Sequence, residues 1–178
     1  MAPAKPQTFT AGQNPISKFD GAIVVDILPR PPGRQFLFEA TMRPHLGIYK
    51  QLTETGQKPP THFHNSQWEY FRVLKGTLTI DFNGIPRHCR PEDGEVGTRP
   101  GVHHVLYGTP GQELEEVVFQ ISGGGGEDDG VLAMDLGFFE NWYGYQEDVF
   151  QRGQKLDVIQ VLSSSADTSQ YSLPSGTR

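Results

Sequence analysis

The stretch Gly56-Gln-Lys-Pro-Pro-Thr-His62-Phe-His64-Asn-Ser-Gln-Trp-Glu69-Tyr-Phe-Arg-Val-Leu-Lys-Gly76 decides the fold. His62 and His64 are separated by one residue, so on an extended chain both imidazoles point to the same side. Asn65-Ser66-Gln67 can turn the chain, residues 68–74 are aromatic and β-branched, and Lys75-Gly76 turns it again. On that strand Glu69, Phe71 and Val73 share a face. If this face is the interior of a barrel, two imidazoles and a carboxylate meet inside it. Such a set suits Fe(II), Mn(II) and similar ions.

Working downstream, Thr77-Leu-Thr-Ile-Asp-Phe82 alternates with period two, and Asn83-Gly84 is a hairpin turn. Residues 95–98, 104–107 and 116–121 are further strand candidates. Upstream, residues 21–28, 35–42 and 47–53 carry β-branched or alternating patterns, and Pro29-Arg-Pro-Pro-Gly33 breaks the chain between the first two. Strands at this spacing predict an all-β sandwich or barrel, with helix only after residue 130. Residues 123–126 are four glycines, followed by Glu-Asp-Asp-Gly130, a break read as a solvated loop. Beyond it Leu136, Phe139, Trp142 and Tyr143 recur at helical steps. They predict one or two helices interrupted at Gly144 and Gly153, with an aromatic stripe used for packing. The expected organisation is an N-terminal arm over 1–20, a β-barrel over 21–122, and a Gly-rich linker, helical extension and polar tail over 123–178.

A second segment, Gly94-Glu-Val-Gly-Thr-Arg-Pro100-Gly101-Val-His103-His104-Val-Leu-Tyr-Gly108, has a glycine-rich turn, a proline-initiated loop and then a histidine entering a strand. It would bring another imidazole from across the barrel, from His103 or His104. With this segment the chain resembles the cupin superfamily. The first cupin motif is glycine, five residues, His-x-His, three or four residues, Glu, six residues, glycine. Gly56, His62, His64, Glu69 and Gly76 match every fixed position. The second is glycine, five residues, Pro-x-Gly, two residues, His, three residues, Asn. Gly94, Pro100, Gly101 and His104 match it, with one residue missing between Pro100 and Gly101 and with Gly108 at the asparagine position.

The resemblance implies a cupin-type β-barrel or jelly roll with a short C-terminal helical extension. It implies one divalent transition metal, Fe(II) first and Mn, Ni, Zn or Cu as alternatives, held by His62, His64, Glu69 and His104. His103 falls at a non-ligand position. The stretch Phe138-Phe-Glu-Asn-Trp-Tyr-Gly-Tyr145 also resembles small stand-alone cupins of fungi, some encoded beside polyketide pathways. Small cupins often pair through strand edges, so a homodimer is expected, with residues 2–19 as an arm that could cross to the partner.

Composition narrows the function classes. The chain of 178 residues suits one domain, and 21 glycines with 14 prolines suit short strands and many turns. A net charge of −6 without a Lys/Arg run argues against nucleic acid. No stretch approaches the ~20 apolar residues of a membrane helix. The N-terminus lacks the apolar run of a secretion signal, and a cytoplasmic location is expected. The single cysteine, Cys89, excludes an intramolecular disulfide and is read as a strand-end thiol. The expectation is a metal-dependent, dioxygenase-like oxidoreductase acting on a small organic molecule of polyketide type, with Glu69 as the proton-removing base. A non-redox isomerase or decarboxylase and a non-catalytic binding cupin are the alternatives. Arg99, Tyr70 and Tyr107 are candidates for the pocket or for strand packing. His45 and His88 are read as surface residues.

Overall fold

The fold was analysed on a computed structural model that describes residues 10, 12–56, 58–59, 61–112, 116–124, 134, 136–151 and 153. The expected polar tail and most of the glycine-rich break lie outside the described residues. In chain order the strands are β1 (Ile16–Lys18), β2 (Ile23–Ile27), β3 (Phe36–Met42), β4 (Glu69–Lys75), β5 (Leu78–Phe82), β6 (Ile85–Cys89), β7 (Glu95–Thr98), β8 (His104–Gly108) and β9 (Val117–Gly123). The helices are α1 (Gly47–Thr55) and α2 (Leu136–Gln151). The strands form a six-stranded sheet in the order β1-β2-β3-β9-β4-β7 and a three-stranded sheet in the order β6-β5-β8. Every described pairing is antiparallel, a jelly-roll arrangement of two facing sheets.

Alternation sets which side chains meet between the sheets. Along β3, Phe36, Phe38, Ala40 and Met42 are buried while the residues between them are half-buried. Along β4, Glu69, Phe71 and Val73 turn inward, and the pleat bulges between Val73 and Lys75 before the chain passes to β5. From the small sheet Leu78 and Ile80 face them, completely buried. Each such aliphatic or aromatic side chain contributes roughly 1.5–3 kcal/mol on burial. At the tip of the β5–β6 hairpin, Asn83 and Gly84 take φ of 52° and 85°, the left-handed pair of a type I′ turn.

The C-terminal helix completes this core. Phe139 of α2 lies 4.4 Å from Phe36 and 4.7 Å from Phe38 between ring centroids, and Tyr143 meets Phe38 edge-on. The approach to the helix is held by Gln67, which is 1% exposed. Its Nε2 donates to the Met134 carbonyl (2.7 Å) and its Oε1 accepts from the Met134 N–H (3.0 Å).

Three expectations are corrected. Residues 47–53 are not a strand but the body of α1, so helix is not confined to the chain beyond residue 130. Ile48 and Leu52 are spaced for one helical face, Leu46, Ile48 and Tyr49 pack against the core, and Gly56 at φ 65° follows the helix as its left-handed stop. The arm over 1–20 is not free in its second half: β1 pairs with β2, Ile16 is 1% exposed, and Phe19 packs on Tyr49 and Phe150 of the same chain. Residues 1–9 lie outside the described residues. The helix α2 runs through Gly144 without a break. Residues 85–89 carry no apolar alternation, yet they form an exposed edge strand paired with β5 and anchored at its end by the buried Cys89.

Candidate metal centre

Two segments deliver the candidate ligands, and backbone hydrogen bonds stitch them together. The His62 N–H donates to the His104 carbonyl (3.0 Å), and the His104 N–H donates to the His62 carbonyl (2.8 Å). This isolated antiparallel bridge adds a rung beside β8. The Gly101 N–H donates to the His64 carbonyl (2.8 Å) with Gly101 at φ 79°, a conformation glycine adopts without strain. The Asn83 N–H donates to the His103 carbonyl, and the Asn83 Oδ1 accepts from the His103 N–H, so the hairpin tip holds the same loop. The turn residues of the second segment therefore position the ligands of the first.

His62, His64, Glu69 and His104 converge, with one ligand atom from each lying within 4.8 Å of all the others. Glu69 Oε2 is 2.7 Å from His104 Nε2 and 3.2 Å from His64 Nε2. These spacings fit a single ion: bonds of about 2.1 Å at right angles separate adjacent donor atoms by about 3.0 Å. Three imidazole nitrogens and one carboxylate oxygen are a borderline-hard set suited to first-row divalent metals. Burial is graded across the cluster. His104 and Glu69 are 1% and 3% exposed, the His64 side chain is 11% exposed, and His62 is exposed. The open side of the site is therefore at His62.

Electrostatics ties the buried pair together. Burial alone pushes the Glu69 carboxyl up, but hydrogen bonds and charge from His104 and His64 outweigh it and hold it at about 2. Burial pushes the His104 imidazole down, and the Glu69 hydrogen bond and charge outweigh that and raise it. His104 Nδ1 lies 2.9 Å from the Val102 carbonyl, which accepts its proton and turns Nε2 toward the cluster. Without a metal His104 and Glu69 form a buried ion pair; a metal would take the place of the Nε2 proton. The Tyr143 phenol on α2 is pushed up, first by burial and then by Tyr49 and by the Glu69 charge.

Of the two adjacent histidines, His104 enters the cluster and His103 faces outward, its ring 4.8 Å from that of Phe63. Phe63 is 47% exposed and does not line the interior. Phe71 does, 5.9 Å from the His104 ring. Tyr70, Arg99 and Tyr107 are not brought to the cluster. Tyr70 lies on the opposite face of β4 from Glu69, stacked on Trp68 with the Arg34 guanidinium 3.3 Å above its ring. Arg99 is exposed, and Tyr107 faces Lys58. His88 is exposed, with Nδ1 at 2.9 Å from Thr79 Oγ1, whereas His45 is half-buried rather than on the surface. Cys89 is a buried free thiol at the end of β6. Sequence reasoning passed over Thr98, which lies directly opposite Glu69 on β7 and is 4% exposed. Its position two residues before Pro100 and the inward alternation of β7 could have found it.

No protein-family model matches the chain. It is 65% identical over 165 residues to oxidoreductase macE of Penicillium terrestre and 62% identical over 163 residues to probable oxidoreductase yanE of Aspergillus niger. Each match covers 92% of this chain. It is also 35% identical over 172 residues, 91% of this chain and 52% of the relative, to epoxidase atD of Aspergillus terreus. The chain spans 64% and 63% of the length of the first two relatives. Among solved structures it is similar to the Cnp3 cupin domain of Schizosaccharomyces pombe, with a TM-score of 0.43 and 12% identity over 77% of this chain and 74% of that one. A predicted oxalate decarboxylase of Thermotoga maritima gives a TM-score of 0.45 and 16% identity over 65% of this chain and 95% of that one.

Proposed function

We propose, for a chain that is a cupin by its fold and by the spacing of its clustered side chains, a metal-dependent oxidoreductase that acts on a small organic molecule, in the manner of a dioxygenase. The observation that carries this reading is the convergence of His62, His64, Glu69 and His104 inside the jelly roll with one flank open. The relatives named oxidoreductases support the reaction class, and fungal polyketide-type compounds are the substrate class we assign to it.

His62, His64 and His104 would hold the ion, with Glu69 as the fourth ligand. A divalent iron there would supply Lewis acidity and one-electron chemistry toward dioxygen. The chain supplies the rest. Val102 fixes the His104 tautomer, and the stitched loops hold the imidazoles in register. Phe71 and the core behind it keep water from the buried side. The substrate enters past His62. Glu69 is ionised at neutral pH and so can receive a substrate proton on a carboxylate oxygen. Its low pKa makes it a weak base while both imidazoles occupy Oε2, so proton removal requires that those bonds be exchanged first.

The name of the Aspergillus terreus relative favours a second form of the same reading, transfer of one oxygen atom rather than two. The test is elemental analysis of protein purified without chelator, followed by oxygen uptake on a panel of fungal phenolic and quinone substrates, with ¹⁸O₂ to count the atoms incorporated. Full turnover by metal-free protein, or turnover without oxygen consumption, removes the proposal.

A further inference from the structure

Thr98 carries a buried hydroxyl with no hydrogen-bond partner among the described residues. Its Oγ1 is shielded from water, the residue is 4% exposed, and nothing among the described residues donates to or accepts from it. A buried hydroxyl left unpaired is destabilising, and valine would fill the same space on a strand at no such cost. The position is specific. Thr98 on β7 is the register partner of Glu69 on β4, so the two side chains stand side by side on the inner face, with Cβ atoms ~5 Å apart in such a pair.

Among the described residues the Glu69 side chain has two hydrogen bonds, both with imidazole nitrogens and both on Oε2. Those nitrogens are the atoms that would bind an ion. Once they turn to a metal, both bonds are lost, and a buried carboxylate needs a replacement donor for whatever charge the ion does not satisfy. A donor that lies beside it and is free among the described residues is the Thr98 O–H. We propose that Thr98 is a positioning residue for Glu69: its hydroxyl donates to the Glu69 carboxylate when the histidines hold the metal, fixing the carboxylate as a ligand and setting metal affinity. This rests on the metal reading above and adds a residue to it.

The experiment is Co(II) titration of chelator-treated protein, followed by the visible absorption of the bound ion, for wild type, Thr98→Val and Thr98→Ser. Loss of a partner behind a ligand typically weakens metal binding 10–100-fold. Thr98→Val is expected to fall in that range with an altered Co(II) spectrum, and Thr98→Ser to stay within about threefold of wild type. Metal-free Thr98→Val is expected to melt at or above the wild-type temperature, because it loses an unpaired hydroxyl. A packing role would instead lower that melting temperature and would not be rescued by serine. In a Glu69→Gln background, Thr98→Val should add less than about threefold, because Thr98 acts through Glu69. Wild-type affinity in Thr98→Val, equal loss in Thr98→Ser, or additive losses in the double variant each overturn the proposal. If Thr98→Val does not fold, Thr98→Ala against Thr98→Ser carries the same comparison. A wild-type chain that takes up no Co(II) removes the metal reading itself, and this proposal with it.

Discussion

Glu69→Gln in the metal-free protein should erase a bell in the dependence of stability on pH. In the wild-type fold the Glu69 carboxyl is held at about 2 against an ordinary 4.5. A depressed carboxyl stabilises the fold above its unfolded pKa, and that contribution is lost as pH falls from 4.5 through about 2. A difference of this size is worth on the order of 3 kcal/mol. His104 is raised above 6.5, so its contribution is complete below 6.5 and is lost as pH rises through its folded pKa. The two contributions describe one ion pair and do not add. Together they put the most stable range of the metal-free protein between about pH 4.5 and 6.5. Urea unfolding in chelator across pH 3–9, for wild type and Glu69→Gln, isolates the pair as a difference. With a slope of about 1–3 kcal/mol per molar urea, the midpoint difference should reach about 1–3 M within the bell and shrink on both sides. A difference that stays constant from pH 3 to 9 would refute the ion-pair reasoning.

Further outcomes can be checked on the same preparations. Substituting His62, His64 or His104 by alanine should abolish metal retention by elemental analysis, whereas His103→Ala, outside the cluster, should leave it unchanged. With metal bound, Glu69→Gln should lower turnover about 10²–10⁴-fold in an oxygen-uptake assay while the fold survives, as expected for loss of a proton acceptor. Gln67→Leu strands both backbone groups of Met134 and should cost about 2–5 kcal/mol in urea unfolding. Gly123→Ala would place a Cβ 2.5 Å from the Phe36 ring and should destabilise by more than about 1 kcal/mol. The exposed edge of β6 leads us to expect a homodimer, and light scattering at micromolar concentration that gives a monomer mass would contradict it.

The candidate site was the most legible part of the chain because its chemistry is written in spacing. His62 and His64 share a face at any extended geometry, and Glu69, Phe71 and Val73 share one by strand period. The misread parts are those where tertiary contacts decide. Residues 47–53 alternate, yet Ile48, Tyr49 and Leu52 also fit one side of a helix, and over seven residues the two periods cannot be separated. What selects the helix is the surface waiting for it. Gly47, at φ 49°, lies so close to the Phe19 carbonyl that a Cβ would come within 2.5 Å of that oxygen. The strand at 85–89 carries no apolar rhythm because it is an edge with four exposed residues, so only its pairing reveals it. Gly144 is tolerated within α2, where it is buried. Gln67 and Thr98 escaped notice because a lone polar residue announces nothing until its neighbours across the fold are known.

The amide of Gln67 bears on how such a chain could be shortened or fused. A cut in the glycine run after β9 looks harmless on paper, since His62, His64, Glu69 and His104 all lie before it. Yet Gln67 precedes Glu69 by two residues, and it grips the backbone that leads into α2. Severing the run would bare Phe36 and Phe38, leave that amide without its partner, and slacken the strand start from which Glu69 projects. The smallest portable unit therefore includes α2 as well as the two sheets. A tag or partner domain belongs beyond Gln151, where the helix has already done its packing.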